Sequence, residues 1–291
     1  MTKLADFIGT RSHFSRSVNL ERDVDSVAVL QGYVPTRRTA EALSLFVDTM
    51  DWESRTRASS LTGPYGSGKS SYAHFLGALV GPSAAHSYKA AIKILKAADP
   101  DMAEDLSSRR KQLGAHKRGF IRAVATANRE PIVTTTLKAM LRGAHDYWSG
   151  PGRKPRLLHD LEKLLSKAER GNLLPASATV ELLQELMDVA PVLLVIDEMG
   201  KNLEYAAGHP DEGDLYILQQ VAEMISVPGE NPGFLVTIQH LAFEDYSVGV
   251  SDAQRREWSK IQGRFQDLPF IDNDEQTLRL LSHALEVTNP P

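Results

Sequence analysis

The sequence predicts an α/β fold in which a mostly parallel five-stranded sheet lies between two layers of helices. Five short apolar segments alternate with longer stretches of helical spacing, an order typical of parallel strands joined by crossover helices. One segment, Val192–Ile196, is an unbroken apolar run rich in β-branched residues, as expected of a strand buried on both faces. The predicted strands are 57–62, 118–125, 192–197, 233–239 and 268–271.

Helical spacing accounts for most of the chain between these strands. Ser177 is the expected N-cap of one helix, because a serine hydroxyl can accept a hydrogen bond from a free amide of the first turn. The predicted helices are two within 83–117, separated at Pro100, and single helices over 131–148, 156–169, 177–189, 199–207 and 214–225.

The most informative segment matches the G-x-x-x-x-G-K-S pattern of a phosphate-binding loop: Gly63-Pro64-Tyr65-Gly66-Ser67-Gly68-Lys69-Ser70. It follows a predicted strand and precedes a helical stretch from Ser71, which is the context that the motif requires. Glycines let successive backbone N–H groups point at one phosphate, and the helix N-terminus adds partial positive charge. Lys69 is expected to contact the β- and γ-phosphates, and Ser70 to bind Mg²⁺. The sequence therefore predicts that residues 63–71 bind ATP with Mg²⁺.

Two acidic residues, Asp197 and Glu198, close the apolar run that begins at Val192. Open α/β sheets bind ligands at the carboxyl ends of their strands, so Asp197 is expected to hold Mg²⁺. Glu198 is expected to orient the water that attacks the γ-phosphate. This second acid favours ATP hydrolysis over phosphate transfer by a small-molecule kinase, which is a weaker alternative. Residues 192–198 are also consistent with an ordinary strand that ends in a solvated acidic turn.

Composition and charge narrow the class of protein. The chain has 291 residues, of which 42% are hydrophobic and 24% are charged, as in ordinary globular proteins. It has no cysteine, which excludes disulfides and thiolate metal sites and makes a reducing cytoplasm the expected location. Its net charge of −4 gives no global attraction to nucleic acid. No apolar run approaches the ~20 residues that span a bilayer, so no membrane partner is expected.

These motifs resemble the AAA+ class of P-loop ATPases, which implies a P-loop NTPase sandwich with a helical lid. The stretch Tyr33-Val34-Pro35 resembles the N-linker of replication-initiator members, which implies that Tyr33 packs near adenine. The stretch Gly263-Arg264-Phe265-Gln266-Asp267 resembles the G-R-F-D element at the subunit interface of AAA+ rings. There the arginine acts on the neighbouring subunit's nucleotide. Strand 233–239 takes the place of the polar "sensor 1" strand, which implies a catalytic role for Gln239.

Several of these residues have a structural alternative. Tyr33 serves equally well as an anchoring aromatic before a proline turn. Arg264 suits an intramolecular ion pair with Asp267 or another nearby acid. His240 is as consistent with packing as with a contact to the γ-phosphate, and Lys201 is more typical of a surface lysine than of a phosphate ligand.

The chain departs from a compact AAA+ module, because Lys69 and Asp197 are 128 residues apart. Helical insertions at about 83–117 and 131–190 are therefore expected within a core of residues 51–271. Residues 1–50 are expected to form a helical and linker segment. Residues 272–291 are expected to begin a truncated lid, with one helix over 272–286 that carries Arg279 and with the rest in a longer protein.

The biological role has two interpretations. The first is an AAA+-like motor or switch that works as a homo-oligomer or larger complex on DNA or a protein partner. The second is an ATP-dependent scaffold with little turnover, as in STAND-type signalling ATPases. The stretches 197–205 and 262–265 resemble bacterial ATP-binding proteins of phage-defence loci, which implies antiviral defence. A candidate DNA-facing patch, or simply a solvated helix face, comprises Arg109, Arg110, Lys111, Lys117 and Arg118.

Overall fold

A computed structural model describes residues 8–10, 17–51, 53–54, 56–152, 154–209, 215–229, 231–247, 250–271, 278, 281–282 and 284–287. The strands are β1 Ile8–Thr10, β2 Ala58–Thr62, β3 Ile121–Thr126, β4 Val192–Asp197, β5 Gly233–Gln239, β6 Gln266–Pro269 and β7 Leu285–Val287. The helices are α1 Val27–Gln31, α2 Arg37–Asp48, α3 Lys69–Leu79, α4 His86–Ala98, α5 Pro100–Gln112, α6 Ile132–Tyr147, α7 Arg156–Glu169, α8 Ala176–Met187, α9 Gly200–Gly208, α10 Tyr216–Ile225 and α11 Asp252–Gln262. A 3-10 helix, Phe243–Tyr246, lies between β5 and α11.

The central sheet has five strands in the order β3-β4-β5-β2-β6, and every pairing in it is parallel. The predicted α/β class and its parallel five-stranded sheet are therefore confirmed. Three predicted strands differ at their boundaries. β2 begins at Ala58, one residue later than predicted. β3 begins only at Ile121, because Gly119 has a φ of +76° and turns the chain before the ladder starts. β6 begins two residues earlier than predicted, since Gln266 already pairs with Ser59.

Helices cover both faces of the sheet. On one face, alternate residues of β3 and β4 such as Ala123 and Leu194 pack with α6, α8 and α10. On the other face, Leu193 and Val236 pack with α2 and with the helix after the phosphate loop, α3. Burial on both faces explains why β4 and β5 are apolar almost throughout rather than alternating.

The predicted helices are present, with one incorrect cap. Asp99 caps α5 by accepting a hydrogen bond from the Met102 amide at 2.9 Å, and Pro100 occupies the first helical position. Ser177 does not cap α8. That helix begins at Ala176, and its cap position is Pro175, which makes no side-chain capping bond.

The helix predicted over 272–286 is wrong at its end, and the assignment of these residues to a lid stays a prediction. Leu285 and Glu286, expected in that helix, instead form strand β7 with Val287, which pairs antiparallel with β1. Residues 272–277 and 279–280, which include Arg279, lie outside the described residues. In the part of the chain that the structure describes, no helix is long and apolar enough to cross a membrane.

Residues 17–26 connect the cleft described below to the β3 edge of the sheet. Glu21 accepts a hydrogen bond from the Thr126 amide at 2.7 Å, where β3 ends. Asp25 forms a bidentate pair with the buried guanidinium of Arg122, at 2.8 and 3.1 Å, and Arg122 also contacts Asp146 at 2.8 Å. These contacts fasten an irregular segment to the edge strand.

Candidate functional site

A cleft of about 400 Å³ opens at the carboxyl ends of the central strands. It exists because β5 lies between β2, which leads into the phosphate loop, and β4, which ends at Asp197. The structure thus brings together the two motifs that the sequence separates by 128 residues. The residues that line the cleft are Ser17, Val18, Tyr65, Gly66, Ser67, Gly68, Lys69, Ser70, Ser71, Asp197, Glu198, Ile238 and His240.

Residues 63–68 adopt a conformation that depends on glycine. Gly63, Gly66 and Gly68 have φ angles of +146°, +79° and +84°, which other residues rarely adopt. Gly68 is the N-cap of α3. The first residues of α3, which include Ser70 and Ser71, line the cleft, and the first amides of a helix have no partner within it. A concave set of N–H donors at a helix N-terminus fits an anionic phosphate.

Lys69 is 5% exposed and donates to the loop that it follows. Its Nζ lies 2.6 Å from the Gly63 carbonyl oxygen, 2.8 Å from that of Pro64 and 3.2 Å from Ser67 Oγ. Burial lowers the pKa of Lys69, and the nearby Asp197 carboxylate opposes this shift. The ammonium group therefore occupies the centre of the loop, bound to neutral acceptors that a phosphate can replace.

Asp197 and Glu198 differ in environment. Asp197 is 6% exposed, and burial raises the pKa of its carboxyl group, although hydrogen bonds from the Ser70 hydroxyl and the Glu198 amide oppose the rise. The contact with Ser70 joins the two residues predicted to bind Mg²⁺. Glu198 lies at the cleft surface, and its carboxylate pairs with Lys201 one turn later. Lys201 thus contacts the predicted base within the same chain.

The backbone at Glu198 is strained. Its φ is +53°, and every other described residue with a positive φ is a glycine. A non-glycine residue in this region costs roughly 1–2 kcal/mol. Two hydrogen bonds hold the turn: the Glu198 amide donates to Asp197 Oδ1 at 2.9 Å, and the Met199 amide donates to the Ile238 carbonyl at 2.9 Å.

Gln239 ends β5, between the phosphate loop and the acidic pair. Its side chain is 1% exposed, and within the described part of the chain neither its amide oxygen nor its amide nitrogen has a hydrogen-bond partner. A buried amide without partners costs free energy unless a ligand or water satisfies it. Gln239 itself does not line the cleft, although its neighbours Ile238 and His240 do.

The rings of His240 and Tyr65 are in contact at the cleft, with centroids 3.4 Å apart and planes tilted by 35°. Burial, together with the positive charge of Lys69, lowers the pKa of His240 and so favours its neutral form. The side chain of Tyr65 is 77% exposed despite this contact. The pair links the phosphate loop to the chain that leaves β5.

Tyr33 does not line the cleft, whereas two residues outside every predicted motif do. Tyr33 packs on Phe75 of α3, with ring centroids 4.3 Å apart, which is the anchoring role left open above. Its contact with adenine stays a prediction. Ser17 and Val18 line the cleft but belong to no motif. No pattern in the sequence could have indicated them, because the fold of residues 17–26 alone brings them there.

Arg264 lies beside the amino ends of the central strands, whereas the cleft lies at their carboxyl ends. Gln266 pairs with Ser59 near the start of β2, whereas the phosphate loop follows the end of β2. At ~3.3 Å per residue, the four steps from Ser59 to Gly63 alone span about 13 Å. Arg264 therefore lies on the far side of this span from the phosphate loop. Its guanidinium is about half exposed and pairs with Glu223 at 2.9 Å, not with Asp267.

The basic cluster does not form one surface. Arg110 is 1% exposed and donates to three backbone carbonyl oxygens, including that of Leu79 at the end of α3. Arg109 pairs with Asp51 and Asp105. Arg118 stacks over the ring of Tyr147. Three of the five cations therefore contact groups of this chain. Fewer positive charges are therefore free to contact DNA than the sequence indicated, and binding of DNA at this cluster stays a prediction.

No protein-family model matches the chain, and a search of the curated proteins finds no match.

Proposed function

We propose that the chain is a P-loop ATPase of AAA+-like type that binds ATP with Mg²⁺ and hydrolyses it. One observation carries the proposal: β5 separates β2 from β4, so that the phosphate loop and the acidic pair face one cleft at the carboxyl ends of these strands. In this proposal the parallel sheet and its helices are the three-layer sandwich of a P-loop NTPase.

Each group has a role that its environment supports. The amides of residues 66–70 and the ammonium of Lys69 bind the phosphates. Glu198 accepts a proton from the attacking water, which its partial exposure in the cleft allows. Gln239, the catalytic residue predicted at the end of β5, does not line the cleft, and its contact with the water or the γ-phosphate stays a prediction.

The donor set also fits a magnesium ion. Ser70 and Asp197 offer a hydroxyl and a carboxylate that already contact each other, and oxygen ligands of this kind suit Mg²⁺. When bound, the ion neutralises charge on the phosphate oxygens. The raised pKa of Asp197 reflects a buried carboxylate that a cation would stabilise in its ionised form.

A role of Arg264 in catalysis implies assembly. Because Arg264 lies beside the amino ends of the strands, away from the cleft, it would act on the nucleotide of a second subunit. An oligomer that acts on DNA or a protein partner in the cytoplasm, in antiviral defence, is the role that the sequence resemblances favour.

A second candidate is an ATP-dependent scaffold with little turnover. The specific observation in its favour is the ion pair between Glu198 and Lys201, which occupies the predicted base. In this case ATP would order the module without rapid hydrolysis.

Turnover measurements separate the two candidates. Purified protein is assayed for phosphate release with and without Mg²⁺, and ATP binding is measured by calorimetry on the same samples. The ATPase predicts Mg²⁺-dependent turnover that Glu198→Gln abolishes. Tight ATP binding with equally negligible turnover in the wild type and in Glu198→Gln would favour the scaffold instead. A failure to bind ATP would exclude both candidates.

A further inference from the structure

Tyr246 lies where the chain leaves β5 beside the cleft. It is the last residue of the 3-10 helix Phe243–Tyr246, and its side chain is half-buried. Its hydroxyl oxygen accepts hydrogen bonds from the His240 amide at 3.3 Å and from the Leu241 amide at 3.4 Å. These are the first two amides after Gln239, so Tyr246 holds the chain that follows the predicted catalytic strand.

The same ring rests against the start of α9. A Cβ atom built on Gly200 would lie 2.6 Å from Tyr246 Cζ, closer than real carbon atoms approach. Gly200 does not have a positive φ, so its backbone does not require glycine. The glycine at this position is explained by the space that the Tyr246 ring occupies.

Gly200 follows Glu198 by two residues. The strained turn at Glu198 is held on one side by the Met199 amide, which donates to β5, and on the other by the packing of α9. The Tyr246 ring contacts α9 at its first residue, while its hydroxyl fixes the end of β5. One side chain therefore spans the two elements that carry Glu198 and Gln239.

We infer that Tyr246 is a positioning residue, which sets the distance between Glu198 and the end of β5 and so aligns both sides of the cleft for hydrolysis. This inference rests on the proposed ATPase function. Tyr246 does not line the cleft, so it acts through Gly200 and His240 and not on the nucleotide itself. Small displacements of a base from its substrate lower the rate of the chemical step far more than they lower binding.

The test uses Tyr246→Phe, which removes only the hydroxyl group. Tyr88→Phe is the matched control: it makes the same chemical change on α4, where the ring of Tyr88 packs on Arg110. In Tyr246→Phe, kcat should fall about 5- to 10-fold while KM and the calorimetric Kd for ATP stay within twofold of wild type. Without nucleotide, hydrogen–deuterium exchange at the His240 and Leu241 amides should accelerate. Tyr88→Phe should change none of these quantities.

Gly200→Ala tests the ring contact separately. The added methyl group displaces the Tyr246 ring and should lower kcat by about 10-fold or more. In a Tyr246→Ala background the methyl group meets no ring, so Gly200→Ala should lower kcat little further. This non-additivity is expected only if the two residues act through their contact.

The outcomes distinguish the inference from the function on which it rests. If the wild type hydrolyses ATP and Tyr246→Phe hydrolyses it at the same rate, the positioning role is overturned and the proposed ATPase function stands. Equal losses of ATP affinity and kcat would also overturn it, because they indicate a general loss of structure. A wild type that binds ATP without turning it over would contradict the ATPase, and the positioning role with it.

Discussion

Replacement of Lys69 by methionine should weaken ATP binding by about 10²- to 10³-fold. The substitution keeps an apolar stem of similar length and removes the ammonium group that lies within the phosphate loop. In the free protein this group donates to the carbonyl oxygens of Gly63 and Pro64 and to Ser67 Oγ. Binding of ATP requires that these neutral acceptors be exchanged for phosphate oxygens, so only the difference between the two sets contributes to affinity.

The difference can be estimated from charge and distance. An ammonium group about 3 Å from a unit negative charge gains roughly 5 kcal/mol at an effective dielectric constant near 20. The two short hydrogen bonds to carbonyl oxygens are lost when ATP binds, and each loss reduces this gain by roughly 1 kcal/mol. The remainder, about 3–4 kcal/mol, corresponds to about 10²- to 10³-fold in Kd.

Calorimetry with ATP and Mg²⁺ measures this change directly, and thermal unfolding verifies that the variant is folded. Lys111→Met is the matched control, because it removes the same charge from the exposed surface of α5. Its Kd should stay within twofold of wild type. If Lys69→Met bound ATP within threefold of wild type, the phosphate loop would not be the ATP site, and the cleft would need another ligand.

Three further predictions concern catalysis, assembly and stability. Glu198→Gln should keep ATP affinity and lower kcat by about 100-fold or more, as expected for a lost general base, in a steady-state phosphate-release assay. Arg264→Ala should leave ATP binding by the isolated chain intact and lower turnover by the assembled protein; mixing it with Lys69→Ala protein should restore part of the activity, and no rescue in a demonstrated oligomer would refute the role in trans. Arg122→Met should lower the free energy of unfolding by about 2–4 kcal/mol in urea titrations, since it leaves Asp25 and Asp146 without their shared buried partner; a loss below 1 kcal/mol would show that the pair adds little.

The sequence by itself determined the features that depend on local pattern. The glycines of the phosphate loop require positive φ wherever the loop occurs, and Lys69 follows them at a fixed spacing. The apolar run before Asp197 predicts a buried strand because burial on both faces removes the need for alternation. Pro100 separates α4 from α5 because it lacks an amide hydrogen and fits the first position of a helix.

Local pattern was insufficient where long-range contacts decide. Ser177 has the chemistry of an N-cap, but α8 starts one residue before it. The expected helix over 272–286 ends before Leu285, because β7 has a partner in β1 from the other end of the chain. The five basic residues at 109–118 resemble a surface patch in sequence, yet Arg110 is buried as the cap of α3.

Tertiary structure also decided which residues share the cleft. The strand order places the end of β5, with Ile238 and His240, between the phosphate loop and Asp197, and no spacing in the sequence specifies that order. Ser17 and Val18 reach the cleft because contacts such as that between Glu21 and the end of β3 direct their segment there. Strand order and loop path are set by the pairing of residues far apart in the chain. A motif therefore reveals the chemistry that a residue can perform, and the packing of distant elements determines which other residues act with it.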